Sequence, residues 1–194
     1  MAPSSFGREA PFQEKIPRKI SIETFLRKYR KGGAGIKYEF NKGIIEKTDS
    51  MRFGEQYIAD NIQKAFELTQ ASAEGSRLVQ ELEIWTARDQ WRKPDICLIT
   101  PAQIKAAASG KEPVPVFIIE VISKNDAILV VKDKVFEYFK AGVQMLWHVF
   151  PHNNKVEIYY SAYKSETFEG DQICSAEAVV PGFKMTASSV FELP

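Results

Sequence analysis

The sequence predicts one α+β domain over residues 20–194, in which helices flank a mixed β-sheet and β-hairpins are added near both ends. Three observations predict this class. The apolar run Val114–Ile122 is typical of a central strand that is covered on both faces. Apolar residues recur at helical spacing in Met51–Thr69 and in Ile128–Ala141. Strand and helix patterns also alternate along the chain, as they do in layered α and β domains.

The elements before the central run follow from turn residues and periodicity. Residues 1–19 have no signal-peptide pattern and are predicted to be a leader outside the domain. A short helix with Ser21 as its N-cap comes next. In chain order we then predict a hairpin (Ile36–Phe40 and Ile44–Lys47), the helix Met51–Thr69, the strands Leu78–Trp85 and Asp95–Thr100 with a polar link Arg88–Lys93 between them, and a short helix Ile104–Ser109.

The elements after the central run predict a β-α-β unit. The helix Ile128–Ala141 stops at Gly142 and leads into the strand Gln144–Phe150, so the crossover is expected to be right-handed. Val156–Tyr160 and Thr167–Phe168 predict a late antiparallel hairpin, and Pro181–Pro194 predicts a packed tail.

Composition excludes several classes of protein. The net charge is +1, and the two cysteines predict a reduced, cytoplasmic protein without a disulfide. No apolar stretch approaches the roughly 18 residues of a membrane span. His148 and His152 are interpreted as structural, and no zinc spacing, phosphate-binding glycine loop or GxSxG turn is present.

Two carboxylates point to metal chemistry. Glu120 is the one charge in the central run, where an uncompensated carboxylate costs several kcal/mol. It needs a basic partner or a cation, unless it lies at an exposed strand end and meets water. Asp95 opens the preceding strand directly after Pro94. Two neighbouring strands that each bring a carboxylate to one point would suit Mg²⁺, which binds one or two carboxylates together with waters and phosphate.

Several longer segments resemble one protein family. They are ISIETFL (residues 20–26), YEFNKGII (38–45), RKPDICLI (92–99), PVFIIEVIS (115–123), KVFEYFKAGVQMLWHVFP (134–151) and PGFKMTASSVFE (181–192). In this order and spacing the chain resembles the Uma-two family of restriction-endonuclease-like proteins, within the PD-(D/E)XK nuclease superfamily. The resemblance implies a restriction-endonuclease-like sheet.

The resemblance also implies a site. Asp95 and Glu120 would bind Mg²⁺, with Mn²⁺ as a substitute, and the Val121 carbonyl would join them. The superfamily lysine two residues after the glutamate is replaced here by Ile122, and the family position of its substitute is Lys134. The chain also departs from the family at Phe150, where an aspartate is usual.

The choice of lysine rests on helix geometry as well. Lys124 lies in a turn, whereas Lys132 and Lys134 flank the apolar stripe of the helix Ile128–Ala141. Lys134 stands one turn before Tyr138, so it is preferred.

Glu55 falls on the apolar stripe of the helix Met51–Thr69. It either reaches the metal through water or directs Lys134, or it only interacts with the helix dipole.

Two functions remain open at this point. The first is Mg²⁺-dependent hydrolysis of DNA phosphodiester bonds, with DNA as the partner and no membrane. The second is a non-catalytic domain that binds nucleic acid or a protein. Homodimerisation is left open. Six basic residues are candidates for phosphate contacts or for a solvated surface: Arg88, Arg92, Lys93, Lys105, Lys111 and Lys124.

Overall fold

A computed structural model describes residues 19–33, 36–49 and 51–194. The predicted leader, residues 1–19, lies outside the described residues except for Lys19. Within these ranges the helices are α1 (Ile22–Lys28), α2 (Gln56–Glu67), α3 (Gln70–Ala73), α4 (Pro101–Ala108), α5 (Ile128–Ala141) and α6 (Ala187–Val190). The strands are β1 (Ile36–Asn41), β2 (Ile44–Asp49), β3 (Arg77–Gln80), β4 (Ile84–Ala87), β5 (Gln90–Arg92), β6 (Ile96–Ile99), β7 (Phe117–Val121), β8 (Met145–Phe150), β9 (Lys155–Ser161), β10 (Lys164–Glu169), β11 (Ile173–Ser175) and β12 (Lys184–Thr186).

The main sheet has six strands in the order β10-β9-β8-β7-β6-β3. β7 and β8 pair in parallel and are joined by α5, so the predicted β-α-β unit is present. The other pairings are antiparallel, which makes the sheet mixed. β7 lies between β6 and β8, as its continuous apolar sequence predicts, and Gly142 ends α5 with a left-handed backbone (φ 111°).

A second sheet corrects two expectations about the first half of the chain. Its order is β2-β1-β5-β4, so the predicted hairpin is extended by two further strands. The prediction of a single strand over Leu78–Trp85 was wrong. Glu81 has a left-handed backbone (φ 50°) and divides this segment into β3 and β4, which belong to different sheets. The polar link Arg88–Lys93 was also wrong, because Gln90–Arg92 is β5, which pairs with β1 and β4.

The two faces of the main sheet pack against different elements, because successive side chains of a strand point to opposite faces. Phe117 and Ile119 of β7 pack into the core on the side of α2 and the C-terminal tail. Ile118 of β7 packs on the opposite side, with Val135 and Tyr138 of α5. The tail predicted from Pro181 onward is packed, with Phe183 and Val190 fully buried.

The N-terminal sheet has a small core of its own. Phe25 of α1 packs against Phe40 and Trp91 of β1 and β5. Ser21 caps α1 as predicted, since its hydroxyl accepts a hydrogen bond from the Thr24 amide. In the part of the chain that the structure describes, no helix is both long enough and apolar enough to cross a membrane.

Candidate active site

Asp95 and Glu120 face each other across neighbouring strands. Ile96 of β6 pairs with Ile119 of β7, so the next residues outward are Asp95 and Glu120. Both side chains project toward the face that α5 covers, because their neighbours in sequence pack on the other face. Both are almost fully buried. The structure therefore brings together the two carboxylates that the sequence singled out.

Asp95 is held by main-chain and side-chain donors. Its Oδ2 accepts a hydrogen bond from the Val121 amide at 2.7 Å, and its Oδ1 accepts one from the Lys37 ammonium. The Asp95 amide in turn donates to Glu120 Oε2 at 3.3 Å. The two carboxylates are thus tied to one another through the edges of β6 and β7.

Glu120 receives its partners from α5. Lys134 Nζ lies 3.2 Å from Glu120 Oε1, and the Tyr138 hydroxyl donates to the same oxygen at 2.6 Å. Lys134 and Tyr138 are one helical turn apart, so both reach the same strand position. The structure thus places the ammonium of Lys134 at Glu120. Lys132 instead contacts the Tyr159 hydroxyl at 2.6 Å, on the far side of the buried stripe.

The first strand of the N-terminal sheet adds two residues that the sequence analysis missed. Lys37 and Glu39 are two apart on β1, so they share a face, and that face is buried. Lys37 bonds to Asp95, and Glu39 lies 2.9 Å from Lys134 Nζ. The available signal was the alternation of Lys37 and Glu39 with aromatic residues, which predicts a two-faced strand with opposite charges on one face.

A buried arginine supports Glu39 from behind. Arg92 of β5 is fully buried and contacts Glu39 at 3.2 Å, Glu137 of α5 at 2.8 Å, and Glu46 of β2. The suggestion that Arg92 touches phosphate was therefore wrong, because its guanidinium is enclosed by carboxylates. Glu137 is also buried, because β4 and β5 cover its side of α5.

Charge compensation sets the ionisation of this cluster. Burial works against ionisation of Glu120, but Lys134 and Lys37 still lower the pKa of Glu120 to about 2. Burial raises the pKa of Asp95 to about 6, with Lys37 opposing and Glu120 adding to the rise. Although burial disfavours its charge, Lys134 has its pKa raised by Glu120 and Glu39. The ammonium groups therefore stay charged beside Glu120.

The donor set fits a hard divalent cation. Asp95, Glu120 and Val121 line a cavity of about 220 Å³, together with Lys37 and Lys134. Among the described residues, no three His, Cys, Asp or Glu side chains form a metal-binding group. Mg²⁺ does not need three, because it is commonly held by one or two carboxylates and completes its shell with waters and phosphate oxygens.

Glu55 lies before α2 rather than on its apolar stripe. It ends a 3-10 turn (Phe53–Glu55), and its Oε2 accepts a hydrogen bond from the Arg52 amide at 3.1 Å. The expected helix Met51–Thr69 therefore starts later, at Gln56, and ends at Glu67. Glu55 still lines a cavity of about 20 Å³ that Asp95 and Val121 also line.

His148 occupies the strand next to Glu120. It pairs in register with Glu120, lines the same cavity as the two carboxylates, and is 1% exposed. Its Nδ1 has no hydrogen-bond partner within the described residues. Burial lowers the pKa of His148 to about 4, against the opposing effect of Glu120, so the imidazole is neutral at physiological pH.

Another cavity, of about 480 Å³, is lined mainly by apolar side chains of α1, α4 and β4, among them Leu26, Ile84 and Ile104. Its lining includes Glu83, which pairs with Arg30 at 2.6 Å on the surface. Within the described residues, this cavity lacks the cluster of buried charged side chains found around Asp95 and Glu120.

Solved structures show the same fold. The chain is similar to the crystal structure of a protein described as "a putative nuclease belonging to DUF820" from Anabaena variabilis. The two share 19% sequence identity and a TM-score of 0.73, over 89% of this chain and 97% of the other. No curated protein matches the chain.

The sequence also matches a family model. The model is that of Uma2, described as "Putative restriction endonuclease", and the match runs over residues 22–188, which is most of the chain. This range includes all three sheets of the described residues and every charged residue of the cluster around Asp95 and Glu120. The resemblance seen in the sequence is thereby confirmed, and the chain belongs to the Uma2 family.

Proposed function

We propose that the protein is a Mg²⁺-dependent endonuclease that hydrolyses phosphodiester bonds of DNA. One observation carries the proposal: two buried carboxylates on neighbouring strands, Asp95 and Glu120, meet a buried lysine, Lys134, at the wall of one open cavity. This combination fits the PD-(D/E)XK pattern, with the lysine supplied by α5. Membership of a family described as restriction endonucleases supports the same reading.

Each residue has a separate role in the proposal. Asp95, Glu120 and the Val121 carbonyl hold the cation. When bound, Mg²⁺ would polarise the phosphate and lower the pKa of a bound water. Lys134 offsets negative charge that develops on the phosphate in the transition state. Tyr138 fixes Glu120 through its hydroxyl, and Glu39 fixes Lys134.

Glu55 is proposed to reach the site through water. The small cavity that it lines with Asp95 has a volume of about 20 Å³, which is enough for one water molecule. Such a water would connect the Glu55 carboxylate to Asp95. The bond from the Arg52 amide holds Glu55 in place at the start of α2.

Exposed lysines at the mouth are suited to the DNA backbone. Lys47 is exposed and lines the same cavity as Asp95. Lys124 is exposed and lines an adjoining cavity with Glu55. Neither carries an ion pair within the described residues, so both are available for phosphate contacts that hold a duplex without reading its sequence.

Cleavage of supercoiled plasmid tests this function. The purified protein should convert supercoiled DNA to nicked or linear DNA with Mg²⁺ or Mn²⁺, and EDTA should stop the reaction. Lys47→Ala and Lys124→Ala should weaken DNA binding and reduce its salt dependence, since each removes about one phosphate contact. A protein that binds DNA but leaves it intact at every metal concentration would contradict the proposed hydrolysis.

A binding function without catalysis is the second candidate, and one observation favours it. Every oxygen of Asp95 and Glu120 already has a donor within the protein, from Lys37, Lys134, Tyr138 and two amides. The carboxylates are therefore compensated without any metal. Calorimetric titration with Mn²⁺ separates the candidates, because a domain that only binds nucleic acid has no need to bind the ion at these residues.

A further inference from the structure

Lys37 holds an unusual position for a lysine. Its side chain is 4% exposed, and its ammonium donates to Asp95 Oδ1 and to the Lys93 main-chain carbonyl at 3.1 Å. A buried lysine that donates to a carboxylate and to a carbonyl oxygen is stabilised as an ammonium. A charged nitrogen is thus surrounded by carboxylate and carbonyl oxygens.

The same oxygens are the ligands that a divalent cation prefers. Mg²⁺ and Mn²⁺ take carboxylate and carbonyl oxygens, and Asp95 is one of the two carboxylates proposed to hold the ion. The second oxygen of Asp95 is already bonded to the Val121 amide. A buried ammonium and a divalent ion on one carboxylate repel each other strongly at such short distances.

Lys134 differs from Lys37 in how it is anchored. Lys134 is bonded to Glu39 as well as to Glu120, so it keeps a carboxylate partner if Glu120 is shared with a cation. Lys37 has one carboxylate within bonding distance among the described residues, and its other partner is a neutral carbonyl. A buried ammonium that loses its only close carboxylate needs another anion.

We propose that Lys37 is the internal counter-ion of the metal position, which leaves Asp95 when a divalent cation binds and then pairs with an anionic oxygen of the DNA backbone. This inference rests on the proposed function. It gives the site two lysines with different tasks. Lys134 stays fixed beside Glu120, whereas Lys37 changes partner, so binding of the cation and of the phosphate are linked through one side chain.

Metal titration of a neutral variant tests the first half of the exchange. Lys37→Met removes the competing charge, so it should bind Mn²⁺ at least about tenfold more tightly than the wild type in calorimetry without DNA. Lys37→Arg keeps the charge and should stay close to the wild type. Lys37→Gln, which is neutral but can still donate hydrogen bonds, should tighten binding like Lys37→Met and replaces it if that variant does not fold.

Duplex binding tests the second half. In Ca²⁺, Lys37→Met should bind a short DNA duplex about tenfold more weakly than the wild type, because the phosphate loses its ammonium partner. Unchanged or weaker Mn²⁺ binding by the neutral variants would overturn the inference, and so would a failure of both wild type and variants to bind Mn²⁺. Unchanged duplex binding would equally contradict the exchange.

The lysine exchange and the nuclease activity can be tested separately. Tighter Mn²⁺ binding and weaker duplex binding by Lys37→Met, without plasmid cleavage by the wild type, would support the exchange and refute the nuclease. Plasmid cleavage by the wild type, together with unchanged Mn²⁺ affinity in Lys37→Met and Lys37→Gln, would support the nuclease and refute the exchange.

Discussion

Replacing Lys134 with methionine should cost the fold much of its stability. Lys134 is buried between Glu39 and Glu120, at 2.9 and 3.2 Å, so its removal leaves two carboxylates short of a cation. Breaking a buried ion pair from one side typically costs about 3–5 kcal/mol. In a domain of this size, that corresponds to a fall in Tm of roughly 6–20 °C, at about 2–4 °C per kcal/mol.

Lys132→Met is the matched control on the same helix. Its side chain is half exposed, and its nearest carboxylate, Glu157, is 3.9 Å away, so the loss should be about 1 kcal/mol or less. Urea unfolding of both variants and the wild type measures the difference directly. Equal stability of the two variants would refute the assignment of Lys134 as the cation that compensates Glu39 and Glu120. Cleavage by Lys134→Met must be assayed well below its Tm, where a loss of about 10²–10³ in rate is expected.

Three further predictions follow from the same contacts. Arg92→Met should destabilise the protein by at least about 3 kcal/mol in urea unfolding. The control Arg88→Met, at an exposed position, should change stability by about 0.5 kcal/mol or less. Similar losses of stability in the two variants would contradict the buried ion-pair network around Arg92. The pKa of His148 is about 4 in the folded protein, below its ordinary value of 6.5. As the pH falls from about 6.5 to about 4, the unfolded chain therefore binds a proton that the folded protein does not, and the free energy of unfolding decreases. His148→Phe should therefore lose about 3 kcal/mol less than the wild type between pH 7 and pH 4, and parallel profiles would argue against a buried neutral imidazole. Glu55→Gln keeps an oxygen for the Arg52 amide, so thermal stability should not change while cleavage falls about tenfold; an unchanged rate would limit Glu55 to capping.

Local sequence patterns were sufficient for the central part of the fold. The apolar run Val114–Ile122 contains the central strand β7, and the bounds of α5 agree with the predicted Ile128–Ala141. The reason is that burial on both faces and helical periodicity are written into consecutive residues. Asp95 and Glu120 could be paired because they lie at the facing ends of neighbouring strands.

The charged cluster behind these carboxylates could not be predicted in the same way. Charged residues are mostly exposed in proteins, so the sequence alone predicts a solvated side chain for each member of this cluster. The members are Lys37, Glu39, Arg92 and Glu137. Their burial depends on the contact between the N-terminal sheet and α5, which joins segments far apart in sequence. The break at Glu81 is similarly hidden, because a left-handed backbone at a glutamate has no strong sequence signal.

The rate of plasmid nicking by carboxylate variants tests whether Asp95 and Glu120 hold a catalytic metal ion. Initial rates in Mg²⁺ should be compared for the wild type, Asp95→Asn, Glu120→Gln and the control Asp133→Asn, whose carboxylate is exposed on α5. We expect Asp95→Asn and Glu120→Gln to abolish nicking while both variants remain folded, and Asp133→Asn to nick at the wild-type rate. Metal-dependent nicking that persists in Asp95→Asn or Glu120→Gln would contradict the assignment of these carboxylates as the metal ligands.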